Sequence, residues 1–207
     1  MKILVISSCS KAQGNDHAPA AELYTGPNHT PLMEGLRKVR KRDQPGETTI
    51  DLFIVSTKHG LISERDVIAP YNVELEDAIW NYTPDCVSQK LLGIIKNNKY
   101  DLVFFLLGPD VKALQLREKR SFWYSGTTDL IFLLAPSHKK WVPLNLLPNI
   151  LEAGIELADE IEEADTYNLR GLLFKKLCET ACREGLQVFK EVRRNPQMIR
   201  DIALGNR

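Results

Sequence analysis

Cysteine, methionine and tryptophan are scarce in this chain, at four, three and three among 207 residues. The cysteines, Cys9, Cys86, Cys178 and Cys182, form no C-x-x-C pair, so a disulfide framework is not expected and a reduced, cytoplasmic setting fits. Cys178 and Cys182 are four apart in a helical stretch and would share a face, either as small core residues or as ligands. The four histidines, His17, His29, His59 and His138, show no ligand spacing of the usual kind. Neither a metal nor another cofactor is expected. Charge of one sign is also missing. Lys plus Arg and Asp plus Glu are 27 each, which removes any global electrostatic case for nucleic acid or membrane surfaces. A basic patch would have to be local. The longest apolar runs, around 102–107 and 130–135, fall far below the ~20 residues needed to span a bilayer. The apolar stretch after Met1-Lys2 is too short for a signal-peptide core. An ordinary globular composition remains, 43% hydrophobic and 26% charged.

Four short apolar runs, residues 2–6, 50–55, 101–107 and 129–134, read as strands. Their hydrophobicity is continuous rather than alternating, which predicts strands covered on both faces of a largely parallel sheet. Helices are expected between them. Residues 31–41 follow Thr30 as a possible N-cap, and residues 84–98 follow Thr83 in the same way, each with Pro in the first turn. Val87, Leu91, Leu92 and Ile95 fall at helical spacing. From about residue 144 strand signals stop and 146–194 looks helical, with stripes through Leu151, Ile155, Leu157, Ala158 and Ile161 and through Leu169, Leu172, Leu173, Leu177, Ala181 and Leu186. The expected fold is α/β: a mostly parallel sheet of four to five strands, flanking helices and an all-helical carboxyl-terminal part. Residues 1–143 would form the α/β domain. Residues 144–207 would pack on it or form a small subdomain, and could pair with a second copy of the chain.

Two strands run straight into polar, lysine-bearing loops, at Ser7-Ser8-Cys9-Ser10-Lys11 and Ser56-Thr57-Lys58-His59-Gly60. In open α/β sheets, ligands bind outside the carboxyl ends of strands. The first loop could offer hydroxyls, backbone N–H groups and an ammonium to an anion. It matches neither the Walker A nor the G-x-G-x-x-G pattern, and it reads equally as a serine-rich turn with a buried cysteine. Cys9 would need a base or a lowered pKa to act as a nucleophile, with His59 and His17 as candidates. Tyr24-Thr25-Gly26-Pro27 is a turn that can place a ring and a hydroxyl at a surface. In the second loop His59 titrates near neutrality and Gly60 permits positive φ. Pro70-Tyr71 would present another ring, and Leu107-Gly108-Pro109-Asp110 lies at a further carboxyl end. The basic run 37–42 holds five cations in six positions, as a solvated helix end or as a phosphate-contacting patch. Arg117, Lys119, Arg120, Phe122, Trp123 and Tyr124 mix cations with aromatics, as a base-stacking element or as an anchored loop.

Residues 6–11, 23–27, 56–62 and 68–73 together resemble a family of uncharacterised bacterial and phage domains. Its members show Cys-Ser-Lys, Leu-Tyr-Thr-Gly-Pro, Ser-x-Lys-His-Gly-Leu and Pro-Tyr in this order, over roughly the first 75 residues. A more distant likeness is to YaaA-type peroxide-stress proteins, which Lys11, Tyr24, Gly26, Ser56, Gly60, Pro70 and Tyr71 match and Cys9 and His59 do not. That likeness implies DNA binding, through a helical hairpin that has no counterpart visible here. The first loop is also similar, through its Cys and Lys, to a domain of archaeosine synthases acting on modified tRNA.

The expected function is the handling of a nucleotide, nucleobase or nucleic acid, with glycosyl-bond or base-processing chemistry as the enzymatic form. Lys58, His59 and Cys9 are the candidate catalytic residues. Ser8, Ser10, Lys11, Tyr24, Thr25, Gly26, Ser56, Gly60, Pro70, Tyr71 and Gly108 are the candidate ligand-binding residues. Lysines would hold phosphate or stabilise negative charge, His59 would be acid or base, and Tyr24 or Tyr71 would meet a base. No carboxylate pair at a recognisable spacing supports glycosyl-bond chemistry; Asp16, Glu22, Asp66 and Asp110 are available acids. The alternative is a non-catalytic DNA-binding stress-protection protein using the 37–42 and 117–124 segments.

Overall fold

The computed structural model describes residues 1–42, 48–72, 85–118 and 128–207. The chain opens with β1 (Lys2–Ser8), β2 (Ala18–Pro19), α1 (Ala20–Leu23) and α2 (His29–Arg42), followed by β3 (Thr49–Ser56), β4 (Gly60–Ser63) and β5 (Val67–Ile68). Then come α3 (Asp85–Asn98), β6 (Leu102–Leu106), β7 (Asp129–Leu134) and β8 (Ile150–Glu152). The end of the chain is helical: α4 (Ile155–Glu160), α5 (Leu169–Glu184), α6 (Gln187–Arg194) and α7 (Met198–Ala203). Short 3-10 segments, Pro109–Leu114, Pro136–Trp141 and Leu144–Asn149, follow β6 and β7.

The main sheet has six strands in the order β4-β3-β1-β6-β7-β8. All its pairings are parallel except the antiparallel β3–β4 hairpin. Counting only the parallel strands, the order is that of a doubly wound 2-1-3-4-5 sheet. The chain leaves β1 toward β3 and later returns to the other side of β1 as β6. The switch point therefore lies between β1 and β6. The tiny β2–β5 pair, antiparallel through Ala18 and Ile68, ties the segment after β1 to the segment after β4.

Alternation along the central strands sends side chains to two cores. Ile3, Val5, Leu102, Phe104, Ile131 and Leu133 face α2, α5, α6 and α7, whereas Leu4, Ile6, Val103, Phe105, Leu130 and Phe132 face α3 and the 3-10 turns. Phe104 meets Phe174 edge-on at 5.3 Å, and Phe105 stacks on Phe132 at 4.6 Å. Each such fully buried side chain contributes roughly 1.5–3 kcal/mol. The continuous apolar runs of the sequence reflect this two-sided burial.

The structure differs from the sequence-based expectation at several points. The sheet has six strands rather than four to five, because β4 and β8 are edge strands of four and three residues, too short to register as runs. β8 lies inside the stretch that reads as helix, since Ile150-Leu151 fit a helical stripe as well as a strand. The region 146–194 is accordingly one strand, one 3-10 turn and three helices. α2 starts at His29, ahead of Pro31, because the His29 and Thr30 N–H groups donate to Gly26 O at 3.0 Å each. Thr30 is inside the helix and not its cap. α3 begins at Asp85, and Thr83 and Pro84 lie outside the described residues. β1 continues through Ser7 and Ser8, which the sequence assigns to a loop. The apolar stripes of α5 to α7 are buried within this chain, against the sheet and α2.

α5 crosses α2 at close range. A Cβ on Gly35 would sit 2.8 Å from Lys175 Cα, and one on Gly171 would sit 2.0 Å from Asn28 O. The Gly171 N–H also donates to Asn28 Oδ1 at 2.7 Å, so the loop before α2 satisfies one of the free donors at the start of α5. An alanine at 171 would raise intrinsic helix propensity by about 1 kcal/mol, but its methyl would strike backbone that cannot step aside. Gly171→Ala is therefore expected to destabilise the protein by roughly 1–3 kcal/mol, as overpacking does. Urea unfolding measures this; a gain in stability would show that the close approach is not tight.

Candidate functional site

The carboxyl ends of β3, β1 and β6 carry a continuous row of polar side chains. On the β3 side, Ser56, Thr57, Lys58, His59 and Gly60 form the β3–β4 hairpin, with Ser56 opposite Gly60. Gly60 takes φ 69°, the left-handed geometry that such a turn needs. The Ser56 hydroxyl accepts the His59 N–H at 3.1 Å and shares a 2.7 Å hydrogen bond with the Tyr71 hydroxyl. Tyr71 OH in turn bonds Tyr24 OH at 2.7 Å. Tyr24 is buried rather than presented at a surface. Burial pushes both phenols above their usual range, so the chain Tyr24–Tyr71–Ser56 is neutral and hydrogen-bonded end to end. The His59 ring stands edge-on to Tyr71 at 5.3 Å, and Lys58 Nζ lies 5.6 Å from the centre of the Tyr71 ring. Partial burial, then the Lys58 charge, lowers the His59 pKa.

Cys9 sits between this group and the next. Its thiol is 4.0 Å from Thr57 Oγ1, and its N–H donates to Val55 O at 3.0 Å. Burial raises its pKa and Asp110 raises it further, against the opposing hydrogen bonds from Thr57 and Tyr71. A thiol so held is protonated at neutrality and is not an activated nucleophile. The ring of His59 meets Tyr71 rather than Cys9, and His17 is exposed.

At the switch point Ser8 ends β1 and donates its hydroxyl to Asp110 Oδ1 at 2.8 Å, while accepting the Gly108 N–H at 3.1 Å. Asp110 lies in the 3-10 turn that Pro109 opens and is 4% exposed. Burial drives its carboxyl upward, opposed by the Ser8 hydrogen bond and by the charge of Arg170. Above Gly108 three polar atoms converge. A Cβ placed there would lie 3.5 Å from Asp110 Oδ1, 3.9 Å from a terminal guanidinium nitrogen of Arg170 and 4.0 Å from Ser8 Oγ.

The structure thus brings Ser8, Cys9, Tyr24, Ser56, Lys58, His59, Gly60, Tyr71 and Gly108 to one edge, with Pro70 leading into Tyr71. Ser10, Thr25 and Gly26 serve the scaffold of that edge. The Ser10 hydroxyl donates to Ala12 O at 2.7 Å and accepts the Gly26 N–H at 3.1 Å, and the Thr25 N–H donates to Ala12 O at 2.9 Å. Lys11 is exposed on the same loop. The basic run is largely occupied elsewhere. Arg40 donates to both carboxylate oxygens of Glu64 (2.8 and 2.7 Å) and to Ile50 O, Arg42 donates to Ala181 O, and Lys38 pairs with Glu179 at 2.5 Å. Residues 119–127, including Phe122, Trp123 and Tyr124, lie outside the described residues. Among the described residues no cluster of His, Cys, Asp and Glu could hold a metal ion, and no helix is long and apolar enough to cross a membrane.

Sequence reasoning passed over Gln13, Asn28, His138 and Arg170. Gln13 Oε1 accepts the Tyr71 N–H at 3.0 Å and so joins the first loop to the Pro-Tyr segment. Arg170 had one legible signal: it is a cation in the first turn of a 16-residue helix, the end that disfavours positive charge.

Fold and site together define a doubly wound α/β protein with its polar edge at the β1/β6 switch point. Residues 3–106, half of the chain, match DUF6884, a family of unknown function, and the chain belongs to that family. The matched segment ends with β6, so Gly108, Asp110, His138 and Arg170 lie beyond it. Comparison with curated proteins and with solved structures gives no match.

Asp110 makes stability depend on pH in a definite direction. Its folded pKa lies above its unfolded value, so its stabilising contribution is complete below the unfolded pKa and is lost as pH rises through the folded one. Asp110→Asn removes that loss. The variant is expected to gain stability relative to the parent as pH rises from the ordinary carboxylate range toward neutrality. Unfolding curves across that window measure the difference, and a difference independent of pH would contradict the assignment.

Proposed function

We propose that this protein binds a nucleotide or nucleobase ligand at the carboxyl edge of its sheet, over the β1/β6 switch point. The observation that carries this reading is the convergence of Ser8, Gly108 and Asp110 on the one position where doubly wound sheets seat such ligands. The row continuing through Cys9, Tyr71, Ser56 and His59 supplies donors and acceptors for a base edge. The Tyr71 ring, flanked by His59 and Lys58, supplies an aromatic surface. The motif likeness to YaaA-type proteins at Lys11, Tyr24, Gly26, Ser56, Gly60, Pro70 and Tyr71 speaks instead for the DNA-binding alternative.

The enzymatic form of this reading is cleavage or exchange at a glycosyl bond. In the hydrolytic form water bonds to the anomeric carbon as the bond to the nucleobase breaks, the base leaves with a proton from a general acid, and the proton of the water passes to solvent. His59 is the general acid or base in the proposal, and Lys58 offsets negative charge on the ligand. Cys9 acts as a neutral thiol that shapes the floor of the site. Non-catalytic DNA binding has less support, because Lys38, Arg40 and Arg42 are engaged within the protein.

Calorimetric titration of the purified protein with nucleosides, nucleotides and short DNA tests the reading. Lys58→Ala and His59→Ala are expected to fold and to weaken nucleotide binding by roughly tenfold, about 1.4 kcal/mol. Undiminished binding by both variants would reject these roles. Affinity for DNA alone, falling steeply with salt, would favour the DNA-binding alternative.

A further inference from the structure

Arg170 is unusually placed. It projects from the first turn of α5, where the helix dipole opposes a cation. Its Nε is buried without a hydrogen-bond partner. Burial lowers its pKa, and Asp110 is the charge that counters this, yet no ion pair joins the two among the described residues. A guanidinium has five donors in a fixed fork, and leaving a buried one unused is costly. Two further buried polar atoms without partners lie nearby in the fold. Ser7 Oγ is on the β1 face that packs against α5, and His138 Nδ1 is in the 3-10 turn after β7, close enough for the Arg170 charge to lower its pKa. Apart from these atoms, only His29 Nδ1 is similarly unpartnered among the described residues. Unsatisfied groups therefore concentrate around the carboxyl ends of the central strands.

We infer that Arg170 anchors the phosphate of a nucleotide over Gly108, beside Ser8 and Asp110. The inference rests on the nucleotide reading above and narrows it from nucleobases to phosphate-bearing ligands. Geometry supports it: a Cβ on Gly108 would lie 3.9 Å from a terminal guanidinium nitrogen of Arg170 and 4.0 Å from Ser8 Oγ, so both donors face the same spot. Arginine suits this role because its fork matches phosphate oxygens two at a time. Burial raises the Asp110 pKa, which lessens the negative charge facing the phosphate. Lys58 and Lys11 are exposed on the β3 and β1 loops and so stand at the rim of the same edge.

The test compares the parent, Arg170→Gln and Arg170→Lys. The probes are inorganic phosphate, the four common ribonucleosides and their 5′-monophosphates, followed by calorimetry, with circular dichroism to confirm folding. The parent should bind at least one monophosphate roughly tenfold or more tightly than its nucleoside, a difference of about 1.4 kcal/mol. Arg170→Gln should erase that advantage and leave nucleoside affinity unchanged. If Arg170→Gln does not fold, Arg170→Lys carries the test, with a several-fold loss confined to phosphate-bearing probes. A phosphate advantage that survives both substitutions, or none in the parent, overturns the role of Arg170 and leaves nucleoside binding standing. Arg170-dependent binding of inorganic phosphate without any nucleoside or nucleotide binding supports the anchor and rejects the nucleotide reading. No binding of any probe rejects both.

Discussion

The close crossing of α2 and α5 is the constraint on which the rest of the structure depends. Gly35 and Gly171 let two backbones approach to distances that any side chain would forbid, and Asn28 caps the incoming helix at the point of contact. One consequence is hydrophobic. The approach lays Phe174, Leu173, Leu177 and the helices after them onto the sheet face formed by Ile3 and Val5 of β1 and Leu102 and Phe104 of β6, closing the larger of the two cores. The other is positional. Because Asn28 belongs to the loop that follows Tyr24, the start of α5 is locked to the motif-bearing edge, and Arg170, one residue before Gly171, is placed beside Gly108.

A second tier of contacts gives that edge its shape. The β2–β5 pair, the Gln13–Tyr71 hydrogen bond and the Tyr24–Tyr71–Ser56 hydroxyl chain draw three segments separated by tens of residues into one wall. The chain of hydroxyls links buried Tyr24 and Ser56 through half-buried Tyr71, so it acts as rigid scaffold as well as polar surface. Arg40 does related work at the far end of α2. Its bidentate bond to the buried Glu64 holds that helix to the segment after β4. The basic run that draws the eye in the sequence thus fastens the fold in part, and two of its five charges are paired with carboxylates.

The sheet centre and the motif loops were legible because their signals are local. Residues 129–134 stand out as a strand because both faces are buried, and the polar loops stand out because hydroxyls, lysine and histidine rarely gather at a strand end by accident. β4 and β8 were not legible, since an edge strand of three or four residues owes its existence to the neighbour it pairs with. Ser10 and Thr25 read as ligand groups in sequence, but a hydroxyl or amide that faces a ligand and one that ties two loops together are the same letters. Only the partner at hydrogen-bonding distance distinguishes them.

By itself, the sequence determined the α/β class, the central parallel strands and the clustering of reactive side chains at their carboxyl ends, because burial pattern and turn chemistry act over a few residues. Tertiary structure alone decided that the switch point falls between β1 and β6, that Ser8, Gly108 and Asp110 meet there, and that Arg170 joins them from far along the chain. The physical reason is that strand order and helix approach arise from long-range packing, in which two glycines count for more than any motif. The polar strand ends with which the sequence first draws attention are half of a site, and the other half arrives with the last long helix.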